Sequence, residues 1–312
     1  MKTLWEIMSW VSQKERFEKI EDYIEFSKYY LAFISTELQA EIIAQNENNY
    51  RFFQYRRDGE YNITRPVNGE LFLPLADYET IAAGFEELLE HIRDIKDDPV
   101  QRKSVNEFIY TTQQSIGCAL DALPSSKTNT SRKINGDLFE RFMQLVMKKL
   151  GLTIDSETLS VKVPASNETM KYQNDIEIKV DEQIVAIGSV KTSSKDRIDK
   201  IFLDKLMYNR LTQTNTPHFA IFLHDVQRAG KEPDYKVGQT FLTGHFKAYT
   251  IGLNALDGVY YCDLRPIMRT DALLKEHIKS LDYLLCEDIW DYICKDFDLE
   301  KTAQTIRMES GL

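Results

Sequence analysis

The chain has 312 residues, of which 43% are hydrophobic and 28% charged, with a formal net charge of −10 at pH 7. That is enough for one large domain or two modest ones with real cores, and the composition is that of an ordinary globular protein. The acidic balance excludes a protein that coats nucleic acid through general charge, but it leaves room for an enzyme with a local basic cleft.

At the N-terminus, Met1-Lys2-Thr3-Leu4-Trp5-Glu6 meets charged residues too early for a secretory leader, and no segment reaches the length of a membrane span, so a cytoplasmic protein without membrane contact is expected. The first 123 residues read as a mostly helical region. Helix-spaced apolar residues run from Lys14 to about Asn46 (Phe17, Ile20, Tyr23, Ile24, Phe26), and further helices are expected over 78–93 and 100–120. Between them, Tyr50-Arg51-Phe52-Phe53-Gln54-Tyr55-Arg56-Arg57 mixes basic and aromatic residues. It reads either as an irregular surface segment or as a DNA-backbone contact.

The polar run Pro124–Ser131 is a break, and 124–312 forms the second region. A helix is expected over 136–150, capped by Asn135, with Asp137 and Glu140 in an acidic first turn and Phe139, Phe142, Met143 and Val146 on its buried stripe. Asn174–Val180 alternates as a strand, and Ile184–Lys191 is apolar on both faces, as in a central strand. A helix from Lys195 to about Leu211, a buried strand at His218–Leu223, weaker strands near 248–251 and 259–264, and a helix around 283–294 complete an α/β pattern: a central mixed sheet flanked by helices. The four cysteines, Cys118, Cys262, Cys286 and Cys294, contain no CxxC pair and do not cluster with the five histidines, so they read as free thiols and not as a zinc site. His224 reads as a strand-end residue, and Tyr260 and Tyr261 as core or interface aromatics.

Turning the chain back at Asp181–Gln183 brings Asp175 opposite residues 188–190, with Ser189 and Lys191 on one face. A carboxylate and a lysine at the end of one hairpin suit metal-dependent phosphodiester hydrolysis, in which the carboxylate holds Mg²⁺ and the ammonium orients the attacking water. A surface hairpin can offer the same pair without function, and the position two before the lysine is Ser189 where an acid would strengthen the reading.

The following segment, Lys191-Thr192-Ser193-Ser194-Lys195-Asp196-Arg197, resembles one branch of the PD-(D/E)xK type II restriction endonucleases, the EcoRII/NgoMIV-like branch. In that branch the second acid lies on the next helix, seven residues after the motif arginine; here that position is Asp204. Gly136-Asp137-Leu138-Phe139-Glu140 is similar to the branch's glycine-containing helix with a glutamate facing the metal, and Arg132 and Lys133 precede it. The resemblance covers Arg132 to Arg210. It departs from the pattern in having Asp204 where glutamate is usual and Asn174 where proline is.

The resemblance implies a restriction-endonuclease-like fold with Asp175, Asp204 and Glu140 at a Mg²⁺ site and Lys191 completing the catalytic set. It also implies that Arg132, Lys133, Lys195, Asp196 and Arg197 contact double-stranded DNA. The aspartate and arginine match cytosine N4 and guanine O6/N7. A palindromic CC-(N)-GG core, 5′-phosphate ends and a homodimer or tetramer follow, as the restriction half of a restriction–modification system. Two alternatives stay open: a nuclease of the same superfamily with a repair or junction-cleaving task, and a DNA-binding protein with a silent nuclease fold.

Overall fold

The β-hairpin that carries Asp175 and Lys191 closes through a two-residue turn, Asp181-Glu182, with both residues in the left-handed region (φ 47° and 64°). Positive φ at both central positions is the geometry whose twist matches flanking antiparallel strands. The computed structural model describes residues 3–294 except 58, 157, 164, 165 and 196, and without the side chains of 57, 60 and 159.

The N-terminal region holds helices α1 (Leu4–Val11) and α2 (Ile20–Glu37), strands β1 (Ala40–Ile43), β2 (Tyr50–Arg57), β3 (Glu60–Ile63) and β4 (Val67–Asn68), and helices α3 (Leu75–Ala82), α4 (Phe85–Glu90) and α5 (Pro99–Asp121). Then come α6 (Thr128–Lys149), β5 (Thr153–Asp155), β6 (Thr158–Lys162), β7 (Thr169–Gln173), β8 (Ile176–Val180), β9 (Gln183–Ser193) and α7 (Ile198–Thr212). The last described part has β10 (His218–His224), β11 (Val226–Ala229), β12 (Lys236–Gln239), α8 (Thr243–Tyr249), β13 (Gly258–Tyr261), β14 (Ile278–Ser280) and a helical segment over 281–294.

The central sheet is six-stranded and mixed, in the order β14-β13-β10-β9-β8-β5. Strands β9, β10, β13 and β14 run parallel, whereas β8 and β5 are antiparallel to their neighbours. Helices cover both faces, the α/β architecture expected. On one face Ile176, Ile178, Val190, Phe219 and Ile221 share a core with Phe139, Phe142 and Val146 of α6. On the other, Ala220, Phe222 and Val259 pack against Ile198, Ile201 and Phe202 of α7 and Phe246 of α8. The first core continues through the N-terminal helices: Tyr23 stacks on Phe142 at 4.7 Å and donates its hydroxyl to the Leu138 carbonyl.

Five local expectations are corrected. Helix α6 begins at Thr128, not at Gly136, so Asn135 is no cap: it lies inside the helix, buried, and accepts from Gln113 Nε2 through both its main-chain and side-chain oxygens. Thr128, Asn129 and Thr130 of the first turn are exposed, and it is the burial of Ser131, Ile134 and Asn135 just beyond them that overrides the weak helix propensity of this polar stretch. The 50–57 stretch is a strand of the four-stranded N-terminal sheet and not an irregular segment, with Arg56 exposed on it. Its aromatics are buried on both faces, with Tyr50 and Phe52 in one cluster and Phe53 and Tyr55 in another, so no polar–apolar alternation marks it. The apolar run over 14–46 breaks into α2 and β1, and the 78–93 stretch divides into short helices. Residues 248–251 belong to α8 and the turn after it, with Ile251 exposed. The 259–264 strand corresponds to β13, and His218–Leu223 to β10, buried throughout.

Cys118, Cys262 and Cys286 are buried free thiols, and Cys294 is exposed. Among the described residues no helix is long and apolar enough to cross a membrane.

Candidate active site

The register of the hairpin pairs Ile176 with Gly188, which puts Asp175 at the level of Ser189 and Val190. The Val190 amide donates to Asp175 Oδ2 at 2.8 Å, fixing the carboxylate at the mouth of the hairpin. Lys191, on the Ser189 face, donates its ammonium to that same Oδ2. Lys191 also reaches Glu140 Oε1 at 3.1 Å. Glu140 comes from α6, the helix on the opposite face of the sheet. One turn on, Gln144 donates Nε2 to the Asp175 carbonyl at 2.7 Å, clamping the main chain that presents the carboxylate. The sequence reading missed Gln144, although the four-residue step from Glu140 places both on one helical face.

Glu140 and Lys191 are each about one-third exposed or less at the side chain (31% and 27%), and Asp175 is 18% exposed. Burial, followed by repulsion from Asp175, pushes the Glu140 carboxyl above its ordinary range, against the attraction of Lys191. Burial works against the charge of Lys191, but Asp175 and Glu140 outweigh it and its pKa is raised. The lysine is therefore a fixed cation between two carboxylates.

Asp204 lies on α7 over the Lys191 face, half-buried. Burial pushes its carboxyl up; the charge of Asp175 adds to this, and Lys200 and Lys191 oppose it. The electrostatic link to Asp175 and Lys191 ties Asp204 to the same group, although among the described residues no set of three or more His, Cys, Asp or Glu side chains forms a ready metal cage. The donors still fit Mg²⁺, which is held by one or two carboxylates, with waters and substrate phosphates completing its shell. Two carboxylates facing one ammonium, one of them destabilised by the other, form a pair that a dication would relieve.

The proposed DNA contacts fall in two places. Lys195 and Arg197 are exposed in the turn between β9 and α7, where Arg197 immediately precedes the helix; Asp196 lies outside the described residues. Ser194, buried beside Lys195, anchors that turn by a 3.2 Å contact between its hydroxyl and Thr240 Oγ1. Arg132 and Lys133 are exposed on α6. Lys133 stands two turns before Glu140 on nearly the same helical face, roughly 10 Å away along the axis. His224 is fully enclosed and its pKa is depressed by burial to about 3, which leaves it a neutral strand-end residue; Tyr260 and Tyr261 are core.

No protein-family model matches the chain, and no curated protein does. Among solved structures, the crystal structure of the type IIP restriction endonuclease Kpn2I is similar, with a TM-score of 0.67 at 20% identity. The match covers 95% of this chain and 99% of that one. The likeness thus takes in the N-terminal region as well as the sheet, and it establishes that this chain has the fold of a type II restriction endonuclease.

Proposed function

We propose that the protein is a Mg²⁺-dependent type II restriction endonuclease. In this reading it hydrolyses double-stranded DNA at a palindromic site with a CC-(N)-GG core, leaves 5′-phosphates and acts as a homodimer. The observation that carries the reading is the double engagement of Lys191 by Asp175 and Glu140 at the end of the β8–β9 hairpin, on a restriction-endonuclease fold.

Asp175, Glu140 and Asp204 would hold the metal, which supplies charge neutralisation at the scissile phosphate and a more acidic water. Lys191 orients the nucleophile: its ammonium is held on two sides, so a water bound to it approaches the phosphate from a defined direction. Val190 and Gln144 fix Asp175 from its side chain and its main chain. Arg197 donates to guanine, and Asp196 would accept from cytosine N4. Arg132 and Lys133 would contact the phosphate backbone, supplying affinity but no sequence information. Cutting both strands of a palindrome calls for two copies of the site.

The test is digestion of plasmid DNA with and without Mg²⁺. Discrete bands that vanish with chelator support this reading. A smear or structure-specific nicks would favour a nuclease with another task, and retarded but uncut DNA a silent binding protein.

A further inference from the structure

Strands β11 and β12 form a separate two-stranded ribbon whose register pairs Val226 with Gln239, Gln227 with Gly238, Arg228 with Val237 and Ala229 with Lys236. Residues directly opposite in an antiparallel pair share a face. Val226 and Val237 therefore lie on one side, and they pack against Ala44, Tyr50 and Phe52 of the N-terminal region. Arg228, on that same side, donates to the Ile63 carbonyl at 2.6 Å. Asn46 holds the Val237 amide and carbonyl, each at 2.9 Å. The ribbon is thus fixed by one face. Its other face, made of Gln227, Ala229, Lys236 and Gly238, is partly or fully open to solvent.

That open face adjoins the turn before α7. Lys195 donates its ammonium to Gln227 Oε1 at 2.9 Å. Thr240, just past the ribbon, and Asp225, just before it, are joined by a 2.7 Å bond from Thr240 Oγ1 to the Asp225 carbonyl; the same Oγ1 meets Ser194. The feet of the ribbon and the Lys195 turn are therefore one fastened unit. With Oε1 engaged by Lys195, Gln227 presents its Nε2 amide as a donor beside the lysine ammonium. A Cβ at position 238 would sit in ordinary van der Waals contact with Gln227, 3.7 Å from Cγ and 3.9 Å from Nε2, so the residue at 238 borders the amide directly. Gly238 and Ala229 keep the surface around the amide low.

We propose that the outer face of this ribbon enters the major groove, that the Lys195 ammonium donates to one guanine there, and that Gln227 is a base-reading residue donating to a guanine in the adjacent pair. This rests on the endonuclease reading above. The major groove admits a two-stranded ribbon, and guanine presents two acceptors there, N7 and O6, whereas adenine replaces one of them with the N6 donor. Two neighbouring donors, the Lys195 ammonium and the Gln227 amide, with the Gln227 oxygen turned to the lysine, fit successive guanines.

The test is digestion of a pool of duplexes of randomised sequence in Mg²⁺, with the cut ends sequenced, for wild type, Gln227→Ala and Lys195→Ala. The wild-type consensus should contain two successive guanines. Gln227→Ala should relax the preference at one of them by about tenfold or more while the rest of the site is kept, and Lys195→Ala should relax the other. An unchanged consensus in Gln227→Ala overturns the proposal. So does relaxation at the same pair as Lys195→Ala, which would make Gln227 a positioning residue for the lysine. If Gln227→Ala does not cut, its consensus is read from duplexes bound in chelator; relaxation at one guanine again supports the role, and an unchanged consensus or no binding overturns it. Absence of cutting by the wild type would be a distinct result: it removes the endonuclease reading, and the role of Gln227 with it.

Discussion

Glu140 and Lys191 are separated by 51 residues in sequence and joined by a 3.1 Å ion pair in space. They come from different layers, Glu140 from α6 and Lys191 from the central strand β9. Because α6 starts at Thr128, Glu140 lies well inside the helix, and favourable placement in a first turn does not account for it. What accounts for its orientation is the hairpin: Lys191 draws Glu140 to the carboxylate of Asp175, and Gln144 holds the same segment from one turn further along. This convergence of two layers on one lysine is the structural basis of the proposed chemistry.

The position of Asp204 makes the displaced acid testable. Ser189 shares the face of Lys191, and no acid stands on the strand there. Asp204→Ala should lower the cleavage rate by at least about tenfold, about 1.4 kcal/mol in the barrier. Its Mg²⁺ requirement should move to higher concentration. Adding Ser189→Glu should restore part of the rate, since a carboxylate from a different backbone position serves a metal if its oxygen reaches the same point. Mg²⁺ titrations of the three proteins measure this, and a normal rate and metal requirement in Asp204→Ala would reduce Asp204 to a surface acid.

Arg197 is exposed immediately before α7, and the proposed function assigns it a guanine contact. Arg197→Ala should cost about 1–3 kcal/mol of discrimination at one C·G pair, with smaller losses elsewhere. Binding to cognate and singly substituted duplexes at fixed salt reads this directly. An equal loss on every sequence would assign Arg197 to the phosphate backbone.

Asp225 supplies a stability prediction independent of catalysis. Among the described residues its carboxyl oxygens have no hydrogen-bond partner, and Arg265 Nε lies 3.8 Å away. Burial pushes the carboxyl up from 3.8 to about 7, against the opposing charge of Arg265. The folded state therefore holds this proton more tightly than the unfolded state, and the group's stabilising contribution is lost as pH rises from about 4 through 7. Between pH 5 and 8 the wild type should lose roughly 2–3 kcal/mol through this group alone. Asp225→Asn should gain on the wild type by that amount over the same interval. Urea unfolding at the two pH values checks it, and a difference between the proteins that does not change with pH contradicts it.

The hairpin was the most legible part of the sequence, because period-two alternation in 174–180 and an apolar run in 184–191 fix its register almost unaided. Asp175 and Lys191 could be placed together from that register. Glu140 and Asp204 could not, because their approach depends on how α6 and α7 pack on opposite faces of the sheet; only the family resemblance pointed to them. The start of α6 was hidden because Thr128, Asn129, Thr130 and Ser131 are weak helix formers, and what holds Asn135 within the helix is Gln113, a long-range partner. Strand β2 was hidden for a different reason: aromatics buried on both faces leave no alternation to read. The contact between Lys195 and Gln227 joins residues 32 apart, with no motif to announce it.

The most direct test of the account compares wild type and Lys191→Ala on the same supercoiled plasmid in Mg²⁺, with specific binding measured in parallel on a duplex carrying the mapped site. Wild type should give discrete fragments with 5′-phosphate ends, and Lys191→Ala should give none while binding the duplex nearly as tightly, because the ammonium acts on the nucleophile and not on the bases. Fragments produced by Lys191→Ala at the wild-type rate would contradict the assignment of Lys191, and with it the active site built on Asp175 and Glu140.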